Sequence, residues 1–355
     1  MNFKPYLEAY HNETNYRGNI DASKLCDYGI KPLNDAMVAI APNELIVIAA
    51  ASGYGKTELS LAISRHNAMN GKKVAHYHLE GGYIEAIQRM KWRDICDLYY
   101  SIDEYRSQGI ELDFRKWSLN KNVHPLLSRI ESLVYANLKE KLKGNLYLYD
   151  RPEGLTCDDF LVSLLEFNNL KTAFGDTQVQ SRKMGFELDL IIIDHLQYFS
   201  LENEKDEIQE VTKIMKEAKR ITDFYGIPII LVSHLRKLPR QHGMPDKEDI
   251  YGTGNIHKIA NTCIIIHPHH ESDKSGEGLY PTFMRVAKSR IGIRPSDLIY
   301  VDFDIYDRKY RDRYSLIKGF PDGSFATEPM FLDQCPKWYD GDKIMRVKNE
   351  ERNIG

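Results

Sequence analysis

Ile46-Val47-Ile48-Ala49-Ala50-Ala51-Ser52-Gly53-Tyr54-Gly55-Lys56-Thr57 is an apolar run that breaks into a loop of small residues and resumes as Glu58-Leu59-Ser60-Leu61-Ala62-Ile63. A buried strand feeding a glycine-containing turn at a helix start makes backbone N–H groups converge where the helix dipole favours an anion. The stretch reads as a phosphate-binding loop of the pattern G-x-x-x-x-G-K-[ST] with Ala50 in the first position. Alanine is tolerable there if that position does not need positive φ. Ala50, Ser52, Gly53, Tyr54, Gly55, Lys56 and Thr57 are the expected nucleotide-binding positions. Lys56 is to reach the β- and γ-phosphates of ATP, and the Thr57 hydroxyl is to ligate Mg²⁺.

Outward from the loop, strands and helices alternate. Upstream, residues 1–28 are polar and aromatic and read as an arm, and Pro42-Asn43-Glu44 is a turn ahead of the strand 45–49. Downstream, the helix 58–70 stops at Gly71, and 72–80 is a second strand closed by Gly81-Gly82. Strand, helix, strand opens a parallel sheet. Residues 83–143 are helical in pattern and 144–150 form a strand, so 83–186 reads as a helical insertion. Leu188-Asp189-Leu190-Ile191-Ile192-Ile193-Asp194 is the most apolar run and marks a strand buried on both faces. The helix 209–225, strands 227–233 and 262–266, and a hairpin of 282–287 with 298–303 follow. From 305 to 355 the glycines and prolines suggest a peripheral tail. The expected fold class is α/β, with a central, mostly parallel twisted sheet flanked by helices.

Composition narrows the setting. The 355 residues carry a net charge of −3 and a pI near 6.5, so any nucleic-acid contact must come from a local patch. Cys26, Cys96, Cys157, Cys263 and Cys335 are scattered without a C-x-x-C pair, which argues against a disulfide framework or a zinc module. The N-terminus lacks a signal pattern, and no apolar run is long enough to span a membrane. A cytoplasmic chain is expected.

An acid ending a buried strand downstream of a phosphate loop is the expected Walker B position, which assigns Asp194 to Mg²⁺. Glu80, at the tip of the strand after the loop helix, is placed to polarise a water as a general base. With these motifs in order, the stretch from Gly29 to Phe303 resembles the RecA-like P-loop NTPase motor of the DnaB-type hexameric replicative helicases and their phage and mitochondrial relatives. The resemblance rests on Gly29-Ile30-Lys31-Pro32-Leu33, Asn43 to Ala49, the phosphate loop, His78-Leu79-Glu80, Ile191 to Gln197, Ile227 to Leu235, Asp249 to Ile256, and Ala287-Lys288-Ser289-Arg290-Ile291-Gly292. It implies a catalytic role for Glu80 and a γ-phosphate sensor at His234, where bacterial members usually carry Gln. It also implies that Lys288 and Arg290 project into the ATP site of the next subunit, in a ring that is hexameric in that family. The RecA-like domain is expected over 29–304.

The implied substrate is single-stranded DNA. Arg236, Lys237 and Arg240, just past the sensor strand, are the expected contacts. Two features depart from the family. Only the short arm stands where bacterial members carry an N-terminal domain, and the stretch 200–209 holds Glu202, Glu204, Asp206 and Glu207 against Lys205 alone. They favour a second reading, a RecA-like ATPase switch that controls a replication or mobile-element partner protein.

Overall fold

The computed structural model describes residues 4–121, 123–149, 155–167, 188–198, 207–236, 245–252, 254–268, 278–290, 298–319 and 325–329. Ten strands form one sheet: β1 (Leu45–Ala50), β2 (Val74–His78), β3 (Leu146–Tyr149), β4 (Leu190–Asp194), β5 (Ile229–His234), β6 (Thr262–Pro268), β7 (Leu279–Ser289), β8 (Leu298–Asp304), β9 (Lys309–Gly319) and β10 (Phe325–Pro329). Their order is β10-β9-β8-β7-β6-β1-β5-β4-β2-β3. From β3 to β6 the pairs are parallel, and from β6 to β10 they are antiparallel. The fold is therefore α/β with a large, mostly parallel sheet.

The helices are α1 (Tyr6–Gly18), α2 (Lys31–Met37), α3 (Lys56–Met69), α4 (Gly82–Ser101), α5 (Asp103–Arg106), α6 (Phe114–Ser118), α7 (Pro125–Leu142), α8 (Cys157–Phe167), α9 (Glu207–Tyr225) and α10 (Asn255–Ile259). Because side chains alternate along a strand, β1 feeds two cores. Leu45, Val47 and Ala49 join Phe160 and Leu164 of α8 and Ile214 and Ala218 of α9. Ile46, Ile48 and Ala50 join Leu33 of α2 and Leu59 and Ile63 of α3. Each buried Ile or Leu contributes about 1.5–3 kcal/mol, so the two layers hold β1 rigidly beneath the loop it launches.

Two sequence expectations change. Within the expected insertion at 83–186, α4 and α7 do build a separate cluster around Trp92, Ile95, Leu127 and Ile130. The same segment, however, supplies β3 to the sheet and α8 to the main core. After Asp304, where a peripheral tail was expected, β9 pairs with β8, and Tyr310 and Tyr314 are buried in the second core. The register shifts between the pairs Val301–Tyr314 and Phe303–Tyr310. Charged residues interleave with these tyrosines, which hides the strand from a reading of hydropathy. At the other end of the chain, no side chain of α1 is buried.

Candidate functional site

The phosphate loop leaves β1 at its C-terminal end and turns into α3 through Gly53 and Gly55, with φ of 86° and 77°. Positive φ is where a side chain is strained. At Gly55 space also forbids one, because an added Cβ would collide with the Tyr310 hydroxyl. Ala50 ends the strand and is not among the described residues with positive φ, so alanine in the first position of the loop carries no strain.

A cleft of about 430 Å³ opens over this loop, lined by Ser52, Gly53, Gly55, Lys56 and Thr57 on one side and by His78, Glu80, Arg89, Phe303 and Arg308 around it. Tyr54 is exposed and does not line it. Lys56 is buried, with Nζ 4.0 Å from Glu80 Oε2. Neighbouring parallel strands place the acids. The backbone N–H of Leu79 donates to the carbonyl of Asp194 (2.7 Å), which fastens the turn after β2 to the end of β4 and sets Glu80 beside His195.

Asp194 is fully buried. Its Oδ2 accepts from the Ser60 hydroxyl at 2.8 Å, while Oδ1 has no partner among the described residues. Burial pushes its carboxyl above the usual range, opposed by His78, Ser60, Lys56 and Thr57. A buried carboxylate oxygen without a partner, next to a loop threonine, suits a hard cation with oxygen ligands. Thr57 and Asp194 thus fit Mg²⁺.

His234 ends β5, with its Nε2 at 2.9 Å from His195 Nε2. Burial, with Lys56 second, holds its pKa below the ordinary value. Burial, then His234 and Lys56, pushes His195 down to about 3. Both rings are neutral at neutral pH and retain a lone pair.

The cleft gathers Lys56, Thr57 and Glu80, with Asp194 and His234 behind them, and leaves the basic residues elsewhere. Lys288 donates to the carbonyls of His257, Lys258 and Ala260 around the end of α10. Arg290 is exposed past the end of β7, and its Nη2 reaches the Lys258 carbonyl at 3.3 Å. Neither lines the cleft. Arg236 donates to the Glu248 carbonyl and pairs with Asp249 at 3.4 Å. Lys237 and Arg240, like most of the acidic stretch at 200–209, lie outside the described residues.

Two groups escaped the sequence reading. His195 follows Asp194 directly and was legible as its neighbour. The other is Glu58, buried one residue past Thr57 and paired with Arg89, Arg93 and Arg308. Arg308 lies 250 positions downstream in the β8–β9 turn, and no local pattern announces the contact.

Comparison with known proteins follows this geometry. The family described as "DnaB-like helicase C terminal domain" matches residues 164–310. The replicative DNA helicase DnaB of Mycoplasma pneumoniae is 24% identical over 301 residues, covering 81% of this chain and 56% of the relative. The chain is a relative of the DnaB-type helicases. DnaB of Buchnera aphidicola subsp. Baizongia pistaciae is 26% identical over 263 residues, covering 70% of the chain and 48% of the relative. The chain spans about half the length of the curated DnaB proteins it matches. A solved helicase ATPase domain superposes with a TM-score of 0.64 at 15% identity, covering 87% of this chain and 99% of that one. A DnaB-like replicative helicase, solved in a study of its interactions with primase, gives 0.63 at 15% identity, over 87% and 68%. The fold shared with these DnaB-type ATPase domains is RecA-like.

Proposed function

We propose that the chain is the ATP-hydrolysing motor of a ring-forming DnaB-type helicase, which moves along single-stranded DNA and separates duplex. The observation that carries the reading is the convergence of buried Lys56, buried Asp194 and solvent-accessible Glu80 at the ends of β1, β4 and β2 around one cleft. Lys56 and the loop N–H groups bind the phosphates, with Ser52, Gly53, Gly55 and Thr57 as the cradle and Ala50 and Tyr54 at its margins. Thr57 and Asp194 would hold Mg²⁺, which neutralises phosphate charge when bound. Glu80 orients and deprotonates the attacking water, and neutral His234 hydrogen-bonds the γ-phosphate. Arg290 serves the next protomer's site in a hexameric ring, while Lys288 holds the strand end from which it projects. An arginine supplied across an interface is worth about 10³ or more in rate. Arg236, Lys237 and Arg240 grip the DNA backbone. The domain runs over 29–304 with 1–28 as an arm, and the work is cytoplasmic, beside a replication or mobile-element partner.

The test is ATP turnover with and without single-stranded DNA, alongside light scattering for mass. Stimulated turnover by a ring-sized particle is expected, as is ATP binding at least about tenfold weaker in Lys56→Ala. Mixing Arg290→Ala with Lys56→Ala protein should restore part of the activity that each lacks alone. Turnover without any DNA binding at low salt would replace the motor with the ATPase switch.

A further inference from the structure

Glu80, His195 and His234 stand at the C-terminal ends of β2, β4 and β5, three adjacent parallel strands. The sheet's register therefore aims them at one point. His195 Nε2 lies 3.1 Å from Glu80 Oε2 and 2.9 Å from His234 Nε2. All three donor atoms fall within 4.8 Å of one another. Donors bound to one tetrahedral ion at 2.0–2.1 Å are spaced about 3.4 Å apart, so two of the three separations are already near that spacing. We propose that Glu80, His195 and His234 form a second cation site, a two-histidine, one-carboxylate set that takes a first-row transition metal of the Zn²⁺ class.

The chemistry separates this site from the Mg²⁺ position at Thr57 and Asp194. Magnesium demands oxygen ligands and seldom accepts imidazole, whereas nitrogen donors suit zinc, cobalt and nickel. His195 is 1% exposed, so its ring is held in place and loses little freedom on binding. The depressed pKa values of both histidines keep their lone pairs available at neutral pH. Three protein donors leave a coordination position toward the cleft, as in sites open to water or substrate. Lys56 Nζ, 4.0 Å from Glu80, opposes a second positive charge, so the ion binds as a reversible ligand and not as a structural one.

The consequence for activity rests on the proposed function. An ion on Glu80 withdraws the carboxylate from water, so zinc inhibits turnover and a chelator restores it.

The test reads binding without ATP. Metal-stripped, nucleotide-free protein is titrated with Co²⁺, whose visible absorption reports a low-coordinate nitrogen and oxygen site, and the Co²⁺ is then displaced with Zn²⁺. One ion per chain is expected, with affinity at least about tenfold weaker in His195→Phe and in His234→Gln. His76→Leu should bind like wild type. That variant matters because His76, His78 and Asp194 form a deeper buried group with unpartnered atoms. The proposal is overturned if wild type does not bind Co²⁺, if His195→Phe and His234→Gln bind normally, or if His76→Leu alone abolishes binding. Should His195→Phe not fold, His234→Gln decides. Magnesium-dependent turnover measured under a zinc chelator tests the ATPase separately, so either idea can fail without the other.

Discussion

Glu58→Gln isolates one charge at a point where distant parts of the chain meet. The carboxylate is buried and pairs with Arg89, with Arg93 at 3.3 Å, and with Arg308, whose Nε donates at 2.7 Å. Glutamine keeps the volume and removes the charge, leaving three guanidinium groups in a largely dry pocket. Losing one partner of a buried ion pair costs about 3–5 kcal/mol. Here the lower end applies, because the cations keep other acceptors. Arg93 still donates to the carbonyls of Glu58 and Arg308, and Arg89 still reaches Glu85. The expected loss is about 3 kcal/mol, which lowers the urea midpoint by about 1 M for a slope near 3 kcal/mol/M. Glu85→Gln is the control, since its side chain is 40% exposed and its i,i+4 pair with Arg89 is of the surface kind. It should cost less than about 1 kcal/mol. If Glu58→Gln shifts the midpoint no more than Glu85→Gln does, the cluster does not hold the β8–β9 turn against α3.

Gly55→Ala meets both a positive φ and the Tyr310 hydroxyl, so it should destabilise by about 1–2 kcal/mol from the backbone alone, with more from the clash. Adding Tyr310→Phe should recover part of the loss in thermal melts, and no recovery would mean that the hydroxyl is not the obstacle. Glu80→Gln should bind ATP normally and lose turnover by about 10² or more, and normal single-turnover rates would make Glu80 a structural acid. Asp27 ties the segment before α2 to α3: although burial raises its pKa, the hydrogen bonds from His66 and Gly29 hold it below the ordinary 3.8. Its ionised form is favoured on folding, so that contribution is present above pH 3.8 and is lost as pH falls through the folded-state value. The stability gap between wild type and Asp27→Asn should therefore narrow in acid, and a gap that is constant with pH in urea titrations would contradict this.

The residues that carry local chemistry were readable in order along the chain. A β-branched run such as Ile191-Ile192-Ile193 has few alternatives to a doubly buried strand, and a glycine, lysine and threonine at a helix start dictate their own backbone geometry. The phosphate loop, β4 with Asp194, and the alternation of strands and helices were visible for that reason. The sequence could not say that β5 lies between β1 and β4, because strand order is set by packing of the whole sheet. That order brings His234 to His195 and Glu80, turning three separated residues into one cluster. Nor did it reveal β9, whose Tyr310 and Tyr314 are covered while charged residues sit between them. A strand near a sheet edge needs only part of its surface apolar, so its average hydropathy resembles that of a loop. Arg308 reaches Glu58 only after β9 has folded back on β8. Contacts of that range leave no periodicity in the chain, and tertiary structure alone decides them.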